Sequence, residues 1–114
     1  MVELFKALSE ESRLRILSVL LSGDLCVCEL EGCLNMSQSN VSRHLTALKR
    51  SGILSSFKRA QWTYYQINSC FIQEHPELWA YLEKGLRNLS TFDKDTQERQ
   101  ACKMKNLCGC VEPY

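Results

Sequence analysis

The sequence has no long apolar segment and no secretion-type start. Its longest apolar stretch, Ile16 to Leu21, is interrupted by Ser18 and is far shorter than the roughly 18 residues of a membrane helix. The N-terminus carries Glu3 and lacks a basic region followed by an apolar block. We therefore expect no signal peptide, no membrane partner and a cytoplasmic location.

Sequence features of several enzyme classes are also absent. The chain contains no Cys-x-x-Cys motif, no alternation of strands and helices typical of a parallel sheet, and no glycine-rich phosphate-binding loop. These absences disfavour a thiol reductase and enzymes that bind phosphates through such a loop. We expect a protein that is not an enzyme.

Acidic residues are missing from the middle of the chain. The net charge of +1 is the sum of −3 over residues 1–31, +5 over residues 32–73, which contain no acid, and −1 over residues 74–114. A segment without carboxylates can lie against a polyanion without repulsion. The middle segment is therefore the candidate nucleic-acid surface.

The hydrophobic periodicity predicts a mainly α-helical domain with a β-hairpin wing. The expected elements are, in chain order, a helix over residues 2–8, a helix capped by Ser9 and ended by Ser22 and Gly23, a helix capped by Asp24 over residues 25–34, a helix capped by Ser37 and ended by Ser51 and Gly52, strands over residues 53–58 and 62–67, and a helix from Pro76. Two helices joined by a three-residue turn and followed by a two-stranded wing form a winged helix-turn-helix, which is a DNA-reading arrangement.

The fourth predicted helix has the pattern of a recognition helix. Val41, Leu45 and Leu48 form an apolar face, and the other face carries short donors without a carboxylate. Such donors can reach phosphates or base edges, although they could also be only solvated. His44 could either touch the DNA backbone or stack on Leu48. The candidate DNA contacts are Gln38, Ser39, Ser42, Arg43, His44 and Thr46 on the helix, and Lys58, Arg59 and Gln61 at the wing.

Seven cysteines are many for a cytosolic chain of this length. Their odd number and the lack of a secretion signal favour metal binding or redox chemistry over a disulfide scaffold. Residues i and i+2 of a regular helix point about 200° apart, so Cys26 and Cys28 can hold one ion only from a non-helical helix start. Cys33 lies roughly 10 Å further along the helix and is expected to be a buried thiol.

Three further cysteines, Cys102, Cys108 and Cys110, lie in the last thirteen residues. They could be incidental, they could hold one ion by themselves, or Cys108 or Cys110 could reach across a dimer to complete a site at Cys26 and Cys28. We expect Cys26 and Cys28 to be the core metal ligands and the three tail cysteines to form a second or completing site.

The stretches KALSEESRLRILSVLL, GDLCVCEL, SQSNVSRHLTALKRSGIL and WTYYQI follow one another within about residues 4–90. Together they resemble the ArsR/SmtB family of metal-sensing winged-helix repressors. The resemblance implies a homodimer built on the first and last helices, which binds double-stranded operator DNA when metal-free and leaves it when metal binds. We accordingly expect residues 1–92 to be the DNA-binding and dimerisation domain and residues 93–114 to be a cysteine-containing C-terminal tail.

The stretch DLCVCEL is similar to the arsenic- and antimony-responsive branch of this family. That similarity implies As(III) as arsenite, or Sb(III) as antimonite, as the inducer, and soft thiolates suit such soft ions. In that branch a third cysteine often follows three residues after the second, where this chain has Glu31. The wing carries Ala60 where glycine is common, and the last helix offers only His75 as a zinc-type ligand.

Two alternative functions keep the DNA-binding fold. One is a sensor of Cd(II), Pb(II) or Zn(II) held by four groups, and the other is a repressor that responds to oxidation of paired thiols. A metallochaperone would account for the cysteines but not for the acid-free recognition helix.

Overall fold

The computed structural model of the chain describes residues 1–105, with side chains up to residue 102. In chain order the elements are α1 (Val2–Ala7), α2 (Glu11–Leu20), β1 (Leu25–Cys26), α3 (Val27–Leu34), α4 (Gln38–Arg50), β2 (Leu54–Arg59), β3 (Trp62–Ile67), α5 (Ser69–Glu74), α6 (Pro76–Arg87) and α7 (Phe92–Lys105). The helix-turn-helix is formed by α3 and α4, and β2 and β3 form the wing. The predicted fold class, mainly α with a β-hairpin wing, is confirmed.

The starts of α2 and α4 show how local side chains set the helix boundaries. At α4 the Ser37 hydroxyl accepts a hydrogen bond from the Asn40 backbone N–H at 3.3 Å, as the sequence predicts. At α2 the predicted Ser9 cap is wrong, because the Ser9 hydroxyl donates to the Lys6 carbonyl at 2.7 Å and closes the end of α1. The N-cap position of α2 is Glu10.

The third helix begins two residues later than the sequence pattern indicates. Leu25–Cys26 forms a short strand in which Cys26 pairs with Tyr64 of β3. The backbone N–H of Cys26 donates to Glu29 Oε1 at 3.0 Å, so Cys26 is the N-cap residue of α3. The predicted Asp24 cap is therefore wrong, because strand pairing holds the two residues after Asp24 in extended backbone.

The sheet has the strand order β1-β3-β2, with antiparallel neighbours. β3 matches the predicted range, and β2 is shifted by one residue from the predicted 53–58. Ala60, in the turn between β2 and β3, has a φ of 56°, which is the left-handed region. The wing turn therefore uses the backbone conformation that glycine adopts most easily, but with an alanine.

A single large core joins the helices to the base of the wing. Ile16, Leu30, Leu45 and Ile53 are buried in it, from α2, α3, α4 and the residue before β2. α7 packs against α2 and α3 and adds Cys102 to the same core. The predicted division into a DNA-binding and dimerisation domain over residues 1–92 and a tail over residues 93–114 stays a prediction.

Two further points concern elements outside the helix-turn-helix. The short helix α5 was not predicted, and it begins where the Asn68 side chain accepts from the Cys70 N–H at 3.0 Å. Within residues 1–105, no helix is long and apolar enough to cross a membrane.

Candidate nucleic-acid interface and thiol site

The recognition helix α4 presents most of its predicted DNA contacts to solvent. Its apolar residues point into the core, which leaves the opposite face of the helix outside. On that face Gln38, Ser39, Ser42, Arg43 and Thr46 are all exposed. α4 carries no acidic residue, and Lys49 and Arg50 lie in its last turn. This face can donate hydrogen bonds to a polyanion without a nearby carboxylate on the same helix.

His44 is the exception on this helix, because it is buried with a relative exposure of 3%. Arg13 Nε of α2 donates to His44 Nδ1 at 3.1 Å. The pKa of His44 lies below its usual value, first because of burial and second because of the positive charge of Arg43. Its spacing from Val41 and Leu48 is the signal that could have identified it as an inward-facing position.

The three predicted wing residues differ in how freely they can meet DNA. Lys58 and Gln61 are exposed. The Arg59 guanidinium lies 4.8 Å from the ring centroid of Tyr64, and its Nη2 is 3.8 Å from Asp24 Oδ2. The Arg59 side chain is thus held by contacts with Tyr64 of β3 and with Asp24, the residue before β1. The Lys58 and Gln61 side chains are instead exposed to solvent.

Lys49 is a residue of this region that the sequence did not single out. Its Nζ donates to the Ser56 hydroxyl of β2 at 2.7 Å, so one hydrogen bond connects the end of the recognition helix to the wing. Because the two candidate DNA-reading elements are joined there, their relative position is partly set by this contact.

The predicted cysteine pair lies together at the start of α3. The Sγ atoms of Cys26 and Cys28 are 3.4 Å apart, with Cys26 buried and Cys28 half-buried. This separation is possible because Cys26 has extended backbone (φ −91°, ψ 173°) and only the following residues are helical. The geometry agrees with the requirement for a non-helical helix start.

The two cysteines open into a cavity of about 250 Å³ that also reaches the recognition helix. Besides the two cysteines, its lining residues are Val27, Glu31, Gln38, Trp62 and Thr63. Gln38 is the first residue of α4, and Trp62 is the first residue of β3. One cavity therefore touches the sulfur atoms of both cysteines, the recognition helix and the wing.

The other cysteines of the described part of the chain lie elsewhere. Cys33 and Cys102 are buried in the large core, whereas Cys26 belongs to a small separate cluster with Tyr64. Burial first and the neighbouring Cys102 second raise the pKa of Cys33 to about 12. Cys33 is therefore a protonated, buried thiol, as expected.

Of the three predicted tail ligands, only Cys102 lies within the described residues, and Cys108 and Cys110 lie outside them. Among residues 1–105, no three His, Cys, Asp or Glu side chains come together in a group that could hold a metal ion. The part of the chain that the structure describes thus offers a pair of sulfur ligands, Cys26 and Cys28, rather than a complete three-ligand site.

Comparison with known proteins gives the family. The family described as "Bacterial regulatory protein, arsR family" matches residues 10–56. The arsenic resistance transcriptional regulator ArsR2 of Pseudomonas putida is 36% identical over 108 residues, which cover 94% of this chain and 88% of that protein. The chain belongs to the ArsR family. It is accordingly a DNA-binding transcriptional regulator and not an enzyme.

Two other matches show the range of regulators that are similar to this chain. The cadmium resistance regulatory protein CadC of Listeria innocua is 39% identical over 75 residues, covering 65% of this chain and 63% of that protein. The structure of HlyU from Vibrio cholerae is similar with a TM-score of 0.59 and 41% identity, covering 71% of this chain and 88% of that one. The family is therefore clear, while the regulators similar to this chain include both arsenic and cadmium resistance proteins.

Proposed function

We propose that this ArsR-family protein represses transcription from its operator and releases the DNA when Cys26 and Cys28 bind trivalent arsenic or antimony. The observation that carries the proposal is the 3.4 Å separation of the two sulfur atoms in a cavity that also contains Gln38. The ligand site and the first residue of the recognition helix share one small space. A change in the position of the two sulfur atoms therefore acts close to the start of the recognition helix.

The sulfur separation suits a single bridging ion. With metal–sulfur bonds of about 2.3 Å, two sulfurs 3.4 Å apart subtend an angle of about 95° at the ion. This angle is smaller than the tetrahedral angle that zinc prefers, and it matches the pyramidal geometry of a trivalent metalloid with a lone pair. Thiolates are also the ligands that soft ions select.

Release of DNA follows from the place of Cys26 in the fold. Cys26 is paired with Tyr64 in the sheet and is also the N-cap residue of α3. An ion that pulls Cys26 and Cys28 toward a third ligand strains this helix start. Because α3 packs against α4, the strain moves the recognition helix relative to the wing.

The proposed third ligand comes from the C-terminal tail, of the same chain or of a partner copy. Cys102 is buried with Cys33 in the large core, apart from the Cys26 cluster. We therefore favour Cys108 or Cys110 over Cys102 as the ligand that completes the site at Cys26 and Cys28. Cys102 could belong to a second site only if α7 moved.

The proposed DNA complex places α4 in the major groove and the wing against the phosphates. Support comes from the exposed, acid-free face of α4 and from Lys58 and Gln61 at the wing. A homodimer is part of the proposal, because such readers bind paired half-sites. Its support is a set of exposed apolar residues on the first and last helices of the predicted domain: Met1, Val2, Phe5 and Tyr81.

The test is arsenite-driven release of a labelled DNA duplex that covers the region upstream of the chain's own gene. The Cys26→Ser, Cys28→Ser double variant is expected to bind the duplex but to stay bound when arsenite is added. Cys70→Ser is the matched control, because Cys70 is an exposed, free thiol on α5, and this variant should release normally. Normal release by the double variant would refute the assignment of Cys26 and Cys28.

A divalent-metal sensor is the second candidate function. Glu31 lines the thiol cavity at the position where a third cysteine would be expected, and a carboxylate oxygen suits Cd(II), Pb(II) or Zn(II) better than As(III). Similarity to CadC agrees with this candidate. Release by cadmium that is abolished in Glu31→Gln, with arsenite ineffective in both proteins, would favour it. Release by peroxide alone would favour the redox alternative.

A further inference from the structure

A chain of charged side chains connects the start of α2 to the buried histidine of the recognition helix. Glu10 Oε2 is 2.9 Å from Arg13 Nη2, and Arg13 Nε donates to His44 Nδ1 at 3.1 Å. On the other side of the ring, Arg43 Nη2 lies 3.4 Å from His44 Nε2. Arg13 also donates to the Lys6 carbonyl at 3.4 Å, which extends the chain to α1.

The protonation state of His44 follows from these contacts. An arginine can only donate, so Nδ1 must present its lone pair to Arg13, and the neutral ring then carries its proton on Nε2. Arg43 consequently has no acceptor at Nε2. Its other charged neighbour is Glu10, 3.9 Å from Nη1, and its side chain is 58% exposed. Arg43 is therefore left able to turn toward an external anion.

We propose that neutral His44 is a positioning residue for DNA binding: by accepting from Arg13, it holds the recognition helix α4 against α2 with Arg43 directed outward. The inference rests on the proposed DNA-binding face of α4, but not on the identity of the inducer. His44 itself is too deeply buried to be the contact that reads the DNA.

Protonation of His44 removes the acceptor and places a third positive charge between Arg13 and Arg43. The charged groups that act on the ring are Arg43 of α4 and Glu10 and Arg13 from α2. In the described part of the chain, α3 and β2, which also pack on α4, bring no charged group that shifts the ring. Burial and both arginines lower the pKa of His44, while Glu10 raises it, so the ring is neutral at neutral pH. The held arrangement is thus present at neutral pH and is lost as the pH falls through this lowered value.

The test is the pH profile of binding to the labelled upstream duplex, measured by fluorescence anisotropy at constant ionic strength between about pH 5.5 and pH 8. The natural protein is expected to bind about threefold more weakly at the acid end, because a pKa below its usual value leaves the His44 ring only partly protonated at about pH 5.5. His75→Gln is the matched control, because His75 is the other histidine of the chain, and this variant should keep the natural profile.

Two variants separate positioning from simple packing. His44→Asn retains an acceptor near the Nδ1 position and cannot titrate, so we expect binding close to the natural protein at pH 8 and a flat profile. His44→Phe retains a ring without an acceptor, so we expect about tenfold weaker binding at every pH. Adding Arg13→Met to His44→Phe should cause little further loss, because the contact is already gone.

Three results would overturn the inference. In the first, the DNA affinity of the natural protein stays constant or rises as the pH falls. In the second, a folded His44→Phe variant binds as tightly as the natural protein at pH 8. In the third, the His44→Asn variant keeps the pH profile of the natural protein. If His44→Phe does not fold, the His44→Asn profile decides. Failure of the natural protein to bind the duplex at any pH would instead defeat the proposed DNA function, and failure of arsenite to release it would defeat only the proposed inducer.

Discussion

Arg15 and Asp95 join α2 to α7 by two parallel hydrogen bonds, Nε to Oδ2 and Nη2 to Oδ1, each of 2.9 Å. The Asp95 side chain is 1% exposed and the Arg15 side chain 23% exposed. Arg15 also donates to the Leu34 carbonyl at 3.4 Å, at the end of α3. One guanidinium of α2 therefore contacts both α3 and α7, and the first prediction concerns its carboxylate partner Asp95.

Asp95→Ala should destabilise the protein by about 2 kcal/mol, because it leaves Arg15 partly buried without its carboxylate. This loss of unfolding free energy is smaller than the loss expected for a fully buried ion pair, because Arg15 is partly in contact with water. Asp93→Ala, an exposed position on the same helix, should change stability by less than about 0.5 kcal/mol. Urea denaturation of both variants measures the difference, and equal stabilities would contradict the role of the pair.

The elements that the sequence predicted well are those determined by local patterns. The recognition helix has a serine N-cap and an apolar stripe, and β3 is rich in aromatic and β-branched residues, so both have strong signals. The strand β1 has only two residues and exists because Cys26 lies opposite Tyr64. No local rule predicts such a strand, because its partner is far away in the sequence.

The candidate site was predictable in its residues but not in its contacts. The Cys-x-Cys spacing indicated the candidate cysteine pair, and the acid-free helix indicated the candidate DNA face. The Arg13–His44 hydrogen bond joins residues 31 positions apart, and periodicity cannot reveal such a pair. Periodicity also could not reveal that the Arg59 guanidinium contacts the Tyr64 ring and the Asp24 carboxylate.

The wing turn should gain stability from a glycine. Ala60 has a φ of 56°, where a Cβ atom is unfavourable, so Ala60→Gly should stabilise the protein by about 1 kcal/mol. The opposite change at Gly52, which has a φ of 87° and open space around an added Cβ, should destabilise by a similar amount. Thermal or urea unfolding of the pair gives the signs, and a loss of stability in Ala60→Gly would show that the turn is not strained.

The two basic residues of the wing should contribute unequally to DNA binding. Lys58 is exposed, so Lys58→Ala should lower the slope of log affinity against log salt by about 0.9, the value for one lost phosphate contact. Arg59 is engaged by Asp24 and by the Tyr64 ring, so Arg59→Ala should change the slope less. Salt titrations with the upstream duplex measure both slopes. A larger change of slope in Arg59→Ala than in Lys58→Ala would contradict the prediction.

Cys33 should remain a thiol when the exposed cysteine has reacted. Burial raises its pKa to about 12, so iodoacetamide at about pH 8.5 should modify Cys70 in the native protein and leave Cys33 unmodified. The unfolded thiol loses its proton near pH 8.5 while the folded one keeps it, so stability falls as the pH rises above that value. Cys33→Ala removes this contribution and should flatten the decline in unfolding free energy between about pH 8.5 and pH 10.5. Peptide mass spectrometry after alkylation measures the first effect, and rapid labelling of Cys33 in the folded protein would show that the α3–α7 contact opens readily.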